Sequence, residues 1–496
     1  MTLISPLFLF AFLPIVAILY YFSSHRLRNV IIAVASLVFY LLGDLSGILI
    51  LLILVIANWG FGLAIDRLKT GGRNANWIAG LAISCNLAVL FYYKYTGFAI
   101  GTLNDVLGSF AIISLPVPDI IPLLGISFVV FTAISYIVDI LHGDAAAYRN
   151  PSHTFIFVSL FPKVIAGPIT TFKSMRSQIL TREWSLKMAC DGGARFILGL
   201  AKKVIIADTI GIAVNQVFSL PADELTASVA WIGAIGFTLQ LYFDFSGYSD
   251  MAIGLGRVFG FRFLENFNYP YVSTSVREFW RRWHISLTNW LRQYLYIPLG
   301  GNRRGNPRMY MNLMIVFLLC GLWHGASWTF VIWGAWHGLF LIIERTPLAL
   351  SLKRFIIQMV GSKHIFIFSP FKYVYTMLVV VLGWVLFRSE SLAQASEFVQ
   401  TMFGFGSASA ITMPGWYLSN SVIIALILGV ILSFPVVPHL LKMAKEVMAR
   451  IAFKTTPVFS SALAIAIIYT ALVLLLLLSI MMLTTREFQP FIYAQF

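Results

Sequence analysis

Long apolar runs separated by short polar breaks dominate the chain. The first extends from Pro6 to Phe22, and a basic cluster, His25, Arg26 and Arg28, follows it. A cleaved signal peptide has the opposite order, with positive charge first and a small-residue cleavage site last. The pattern predicts a retained first span with its N-terminus outside and its basic end in the cytoplasm. Residues 29–43 and 47–65 form two more runs, split by the turn Gly43-Asp44-Leu45-Ser46-Gly47. The loop after them carries Arg67, Lys69 and Arg73, so both basic loops fall on one side. Further spans are expected at 77–93, 120–141, 196–218, 226–246, 309–323, 327–344, 372–387, 421–438 and 460–483. With ~20 residues needed to cross a ~30 Å hydrocarbon core, the pattern gives about 11–12 transmembrane helices.

Three stretches break this rhythm. Residues 153–169 are apolar but interrupted by Pro162, Lys163 and Pro168, which predicts a re-entrant or broken segment buried in protein. Residues 273–300 are rich in arginine and aromatic rings and read as interfacial helices. Residues 390–403 form another polar-faced interfacial stretch. No internal repeat or long linker divides the chain, so residues 1–496 are read as one membrane domain. Within it, 273–308 is a basic interfacial segment and 309–345 holds the histidine-bearing helices.

Composition sharpens the class. Apolar residues make up 59 % and charged residues 11 %, with a mean hydropathy of +0.85. Soluble domains carry about 25 % charged residues, so a soluble enzyme, a disordered chain and a fibre are excluded. The net charge is +15. Inside-loop bias and attraction to anionic lipid account for much of it, and an anionic substrate is the sharper reading. Nucleic acid fits poorly, because spans interrupt nearly every basic cluster. Cys85, Cys190 and Cys320 lie far apart, with no spacing for a metal site or a disulfide frame. No His, Cys, Asp or Glu set has metal-ligand spacing, and no GxSxG elbow is present for serine chemistry.

Candidate chemistry concentrates in three places. Arg277 to Arg308 holds seven Arg, no Lys and one acidic residue, Glu278, beside His284, Trp280, Trp283 and Trp290. Arginine beside tryptophan suits a membrane surface, but guanidinium forks also grip phosphates bidentately. Gly300-Gly301-Asn302-Arg303-Arg304-Gly305 lacks the GKS/T of a phosphate loop and reads as a turn. The second place is Leu322-Trp323-His324-Gly325, with His337 thirteen residues on. An ionisable residue inside a span is a functional hypothesis, and neutral imidazole can act as a general base. On one straight helix ~20 Å would separate these two histidines, so they share a site only if the chain bends. The third is Gln240 to Asp250, where Asp244 and Asp250 need partners at membrane depth and could orient a histidine or bind an arginine of that belt. Lys202, Lys203 and Asp208 read as a buried ion-pair or snorkelling feature.

These stretches together resemble the membrane-bound O-acyltransferase family, in its bacterial branch that includes the alginate O-acetylation membrane subunit. The resemblance rests on Ser5-Pro6-Leu7-Phe8-Leu9-Phe10, Leu124-Gly125-Ile126-Ser127-Phe128 with Tyr136 and Asp139, Phe161-Pro162 with Ala166-Gly167-Pro168, and Tyr242 through Asp250. It rests also on Glu278 through Leu287, Tyr296 through Arg303, Leu322 through Gly325, and Pro490 through Tyr493. It implies an all-helical polytopic fold around a central tunnel, in the bacterial inner membrane. It assigns catalysis to His324 and a second role to His284, with none for His337. Donor binding would fall to Arg281, Arg282, Asn289, Arg292, Arg303, Arg304, Asp244, Ser246 and Trp323. Lys163 departs from the usual uncharged residue there. The implied reaction takes acetyl groups from acetyl-CoA, with no permanently bound cofactor. A periplasmic serine-hydrolase-like acetyltransferase would carry them to a polysaccharide. D-alanyl transfer to teichoic acid from a carrier protein ranks second. A transporter would show paired broken helices and repeats, and a scaffold would tolerate loss of both histidines.

Overall fold

A computed structural model describes residues 1–110, 114–303, 305–349, 351, 369–406, 412–440, 442–443, 457–486 and 489–492. Every regular element among them is helical. In chain order these are α1 (Leu13–Phe22), α2 (His25–Gly43), α3 (Ile48–Thr70), α4 (Asn76–Leu90), α5 (Thr96–Ser109) and α6 (Ile126–His142). Then come α7 (Pro151–Ser159), α8 (Phe172–Leu180), α9 (Leu186–Ala201), α10 (Asp208–Phe218) and the long α11 (Ala227–Val258). The site region holds α12 (Val276–Arg282), α13 (Ile285–Leu291), α14 (Gly305–His324) and α15 (Trp328–Ile343). The chain closes with α16 (Ser369–Arg388), α17 (Leu392–Met402), α18 (Asn420–Leu432) and α19 (Pro457–Thr485).

By length and composition, five helical segments can cross a membrane: α2, α3, Asn76–Ser109, α16 and Ala466–Thr485. Phe8–Phe22, α6, α15 and α18 are shorter apolar helices. The expected span at 120–141 starts late, because residues 120–125 are not helical and Gly125 (φ 66°) turns the chain into α6. Residues 153–169 form a broken segment buried in protein. α7 ends at Ser159, and the turns after it are buried through Thr170. Lys163 lies inside, its ammonium 5.1 Å from the Phe157 ring centroid. The segment at 390–403 folds as α17.

α6 acts as a ruler through the bundle. Near its start, Ser127 accepts a hydrogen bond from Lys94 Nζ at 3.2 Å. Near its end, Asp139 accepts from Tyr294 Oη at 2.7 Å, and the Ile140 and Leu141 carbonyls accept from Lys69 Nζ at 3.2 and 2.6 Å. The arginine-rich segment therefore lies at the same end as the basic last turn of α3, which carries Arg67 and Lys69.

Four π turns occur among the described residues: Phe8–Phe12 leads into α1, Phe91–Tyr95 joins α4 to α5, Lys202–Ala207 joins α9 to α10, and Arg292–Tyr296 follows α13. Such turns cluster at functional sites. The last three each carry a basic side chain. The turn after α9 sends its two lysines to different partners. Lys202 pairs with Asp250 at 2.6 Å, while buried Lys203 pairs with Asp208 at 2.7 Å and Asp244 at 2.6 Å. Asp244 Oδ2 also accepts from the Ile492 backbone N–H at 3.0 Å, and Lys203 donates to the Pro490 carbonyl at 3.3 Å. A buried ion cluster thus fastens residues 490–492 to the centre of the bundle.

Candidate active site

α14 and α15 form an antiparallel pair whose axes approach closely at Gly321 and Gly334. A Cβ on Gly321 would collide with the Phe330 carbonyl, and one on Gly334 with that of Phe317. Small residues permit such contact between membrane helices. α14 ends at His324, and the chain reverses through Gly325, Ala326 and Ser327, whose hydroxyl caps α15. Gly325 is required here because the Phe330 ring occupies the space its Cβ would take.

This bend changes the reading of the two histidines. His324 stands with its ring 5.0 Å from Trp333, which stands 5.1 Å from His337. The straight-helix separation therefore does not hold, and His337 returns to the neighbourhood with Trp333 between the two rings. His337 Nδ1 accepts a hydrogen bond from Trp280 Nε1 at 3.4 Å, and the ring packs among Phe279, Trp333 and Trp384. Its surroundings are those of a core residue.

His284 comes to the site from another direction. It precedes α13 with φ 44° and ψ 52°, a left-handed conformation that costs ~1–3 kcal/mol in a non-glycine residue. Asn266 holds it there. Asn266 Oδ1 lies 3.2 Å from His284 Nδ1 and accepts from Ser286 N at 3.2 Å and Ser286 Oγ at 2.9 Å. The Asn266 carbonyl accepts from Ile285 N at 3.0 Å, and its amide donates to Ser249 Oγ at 3.0 Å. The ring centroids of His284 and His324 are 6.4 Å apart, with Trp323 beside both, at 5.9 and 5.0 Å. Both histidines and Trp323 are buried.

Two clefts converge on this pair from opposite ends of α14. The first, of about 430 Å³, contains Arg277, Arg281, Arg292, Arg345, Asn289 and Asn302 in its wall. Among the described residues no carboxylate lines it. Its deep end reaches Cys320, one helical turn (~6 Å) before His324. The second, of about 590 Å³, has His324, Trp323 and Gly325 at its base, with Lys94, Asp44 and Ser127 on its walls. It opens at the end of α6 opposite the arginines. Together they approach a passage through the bundle, closed in this structure around the histidines.

The arginines are aimed by their helix ends. α12 begins with Ser275, whose hydroxyl accepts from Glu278 N at 3.0 Å, while Glu278 Oε2 accepts from Thr274 N at 3.0 Å. This is a variant of the capping box in which the glutamate reaches back to the residue before the cap. Glu344 at the end of α15 accepts from Val276 N at 2.6 Å and Arg277 N at 3.0 Å. Two carboxylates therefore fix α12 and present Arg277 and Arg281 to the cleft. Burial, then the neighbouring Arg281 and Arg345, push Arg277 below the usual guanidinium value. That crowding of like charge favours an anionic occupant.

The structure distributes the expected donor-binding residues unevenly. Arg281, Asn289 and Arg292 line the arginine cleft, and Trp323 lines the histidine cleft. Arg282 turns away, to Glu278 Oε1 at 3.0 Å and the Asn268 carbonyl at 3.1 Å. Arg303 sits exposed in the turn before α14, and Arg304 lies outside the described residues. Asp244 belongs to the Lys203 cluster, and Ser246 lines a different cavity beside Lys202 and Asp250. Neither borders the two converging clefts. Asp250 pairs with Arg195 at 2.8 Å as well as Lys202. Sequence reasoning passed over Lys94, Asn266, Glu344 and Arg345. A lone lysine in the aromatic run Phe91–Tyr95 was the one legible signal among them. No group of three potential metal ligands occurs among the described residues.

The model of the MBOAT, membrane-bound O-acyltransferase family matches residues 123–380. The chain is 41 % identical over 501 residues to "Probable alginate O-acetylase AlgI" of Pseudomonas putida, covering 99 % of both chains. It is 33 % identical to "Peptidoglycan O-acetyltransferase" of Helicobacter pylori, covering 82 % of this chain and 80 % of that one. It is 28 % identical to "Teichoic acid D-alanyltransferase" of Bacillus subtilis, covering 46 % of this chain and 60 % of that one.

Proposed function

The chain belongs to the membrane-bound O-acyltransferase family and is a multi-pass membrane O-acyltransferase; we propose that it moves acetyl groups from acetyl-CoA across the bacterial inner membrane to an extracytoplasmic polysaccharide. The observation that carries this reading is the pair of clefts that approach His324 from opposite ends of α14, one reaching Cys320 and the other His324 itself. Acetyl-CoA carries several phosphates and does not cross lipid. The cleft walled by Arg277, Arg281, Arg292 and Arg345 suits those phosphates, because guanidinium groups bind them bidentately. The end at Cys320, one helical turn from His324, suits the acyl-bearing arm.

In this mechanism an acceptor hydroxyl enters by the second cleft. The His324 imidazole takes its proton while the oxygen attacks the thioester carbonyl carbon. The tetrahedral oxyanion then collapses, the C–S bond breaks, and the leaving sulfur takes the proton from the imidazolium. General-base assistance contributes about 10²–10⁴-fold, and confinement of both reactants contributes more. His284, held by Asn266, orients the donor or acceptor beside His324. The first acceptor is a serine of a periplasmic serine-hydrolase-like partner, which delivers the acetyl group to the polysaccharide. The relatives named for alginate and peptidoglycan support a sugar-polymer acceptor. The D-alanyl reading draws on a match to 46 % of the chain and ranks below it.

The test uses liposomes containing the protein, labelled acetyl-CoA on the arginine-cleft side and the partner on the other. Label should reach the partner with wild type and not with His324→Ala. Undiminished transfer by a folded His324→Ala variant would remove His324 from the chemistry. Label transfer that requires a D-alanyl carrier instead would move the protein to the second reading.

A further inference from the structure

Lys94 is a charged group in an apolar helix pair, and the mechanism above does not use it. It lies in the π turn Phe91–Tyr95 between α4 and α5. Placing an ammonium at such depth is costly unless something compensates the charge. Among the described residues no carboxylate pairs with Lys94. Its three N–H donors go elsewhere: to the Trp323 carbonyl at 2.6 Å, the His324 carbonyl at 3.3 Å and Ser127 Oγ at 3.2 Å. The adjacent Tyr95 Oη donates to the Leu322 carbonyl at 2.9 Å.

These carbonyls are the last three of α14. Helix C-terminal carbonyls lack intrahelical partners, and the helix end carries about −0.5 elementary charge. Twenty aligned residues of α14 point that end at Lys94. The dipole end and two carbonyls replace the missing carboxylate. A regular α-helix turns consecutive side chains ~100° apart. The wider π turn lets Lys94 and Tyr95 reach one helix end together.

We propose that Lys94 is a positioning residue for His324: it caps the helix that bears the histidine from a different helix, and so fixes where the imidazole stands. The proposal rests on His324 being the base. Its backbone is clamped on one side by Lys94 and on the other by the Phe330 ring packed over Gly325. With the lysine removed, the last turn of α14 loses its cation and frays, and the ring moves relative to His284. Lys94 lines the same cleft as His324. Its donors are already engaged, so it acts through the helix end and not on the acceptor.

The experiment measures acetyl transfer in liposomes for wild type, His324→Ala, Lys94→Met and Lys94→Arg, with melting temperature in detergent as the check on folding. Displacing a reacting group by ~1 Å costs about 100-fold. Lys94→Met should therefore lower kcat about 100-fold, with donor KM and melting temperature near wild type, and Lys94→Arg should recover most of the loss. A kcat for Lys94→Met near wild type overturns the proposal, and so does a loss confined to donor KM. If Lys94→Met does not fold, Lys94→Gln, which keeps two N–H donors without the charge, is judged by the same criteria. Activity retained in His324→Ala would overturn the functional reading itself, and that result is separate from any seen at Lys94.

Discussion

Replacing Asn266 with alanine tests whether the strained turn at His284 matters. Asn266, His284 and Ser286 are all buried, at 1 %, 0 % and 2 % exposure. The substitution removes the oxygen shared by His284 Nδ1, Ser286 N and Ser286 Oγ. A buried N–H left without an acceptor costs ~1–3 kcal/mol, and the left-handed backbone at His284 holds another ~1–3 kcal/mol. Two responses follow. If the turn stays in place, its strain is common to both proteins, and the lost hydrogen bonding appears as a stability loss of about 1–3 kcal/mol. If it relaxes to a right-handed conformation, stability recovers but His284 moves away from its 6.4 Å approach to His324. The second response costs about 100-fold in rate for ~1 Å of displacement. Melting temperature and kcat in liposomes, measured together, separate them. Asn268→Ala is the control, because that side chain is exposed two residues away. An Asn266→Ala protein with both melting temperature and kcat equal to wild type would refute the reasoning.

Other outcomes follow from the same geometry. Gly325→Ala should abolish transfer by forcing the Phe330 ring aside, at ~1–3 kcal/mol of overpacking, and the double variant with Phe330→Ala should regain part of the activity. Lys203→Met should destabilise the protein by about 3–5 kcal/mol, because Asp208 and Asp244 would remain buried without their cation; thermal unfolding measures this, and donor KM should not change in the surviving protein. Arg281→Gln or Arg292→Gln should raise donor KM about 10-fold or more, at ~1.5–3 kcal/mol per charged hydrogen bond, whereas Arg303→Gln, exposed in the turn before α14, should leave it unchanged. Partial burial opposes the charge on Glu278, but the Thr274 N–H and Arg282 outweigh it and hold the carboxyl below the usual glutamate range. Its cap on α12 is therefore fully present above the unfolded glutamate value of ~4.3 and is lost as pH falls through the lower folded value. Donor affinity should weaken on acidification in that window for wild type, and Glu278→Gln should show the weaker affinity already at neutral pH.

The local pattern carried a great deal. Runs of apolar residues located the helices, because helix formation and lipid exposure depend on neighbours within a few turns. Paired charges at 202–208 and 244–250 announced a buried ion cluster, since charge at membrane depth must be compensated. The prolines at 162 and 168 marked the break in the apolar run after α7. The motif around His324 pointed to the residues on which the proposed chemistry rests. Hydropathy does not distinguish an apolar face turned to lipid from one turned to another helix, and so it gave no pairing between distant segments. Lys94 meets α14 across 229 residues of sequence, and Tyr294 meets Asp139 across 155. Only that packing chose three of the seven arginines for the cleft and sent Arg282 to a cap. It also brought His284 to His324 and folded His337 back behind Trp333. These assignments depend on which faces of which helices touch. That is settled by close contacts such as Gly321 against Gly334, and by polar groups that find each other once water is gone.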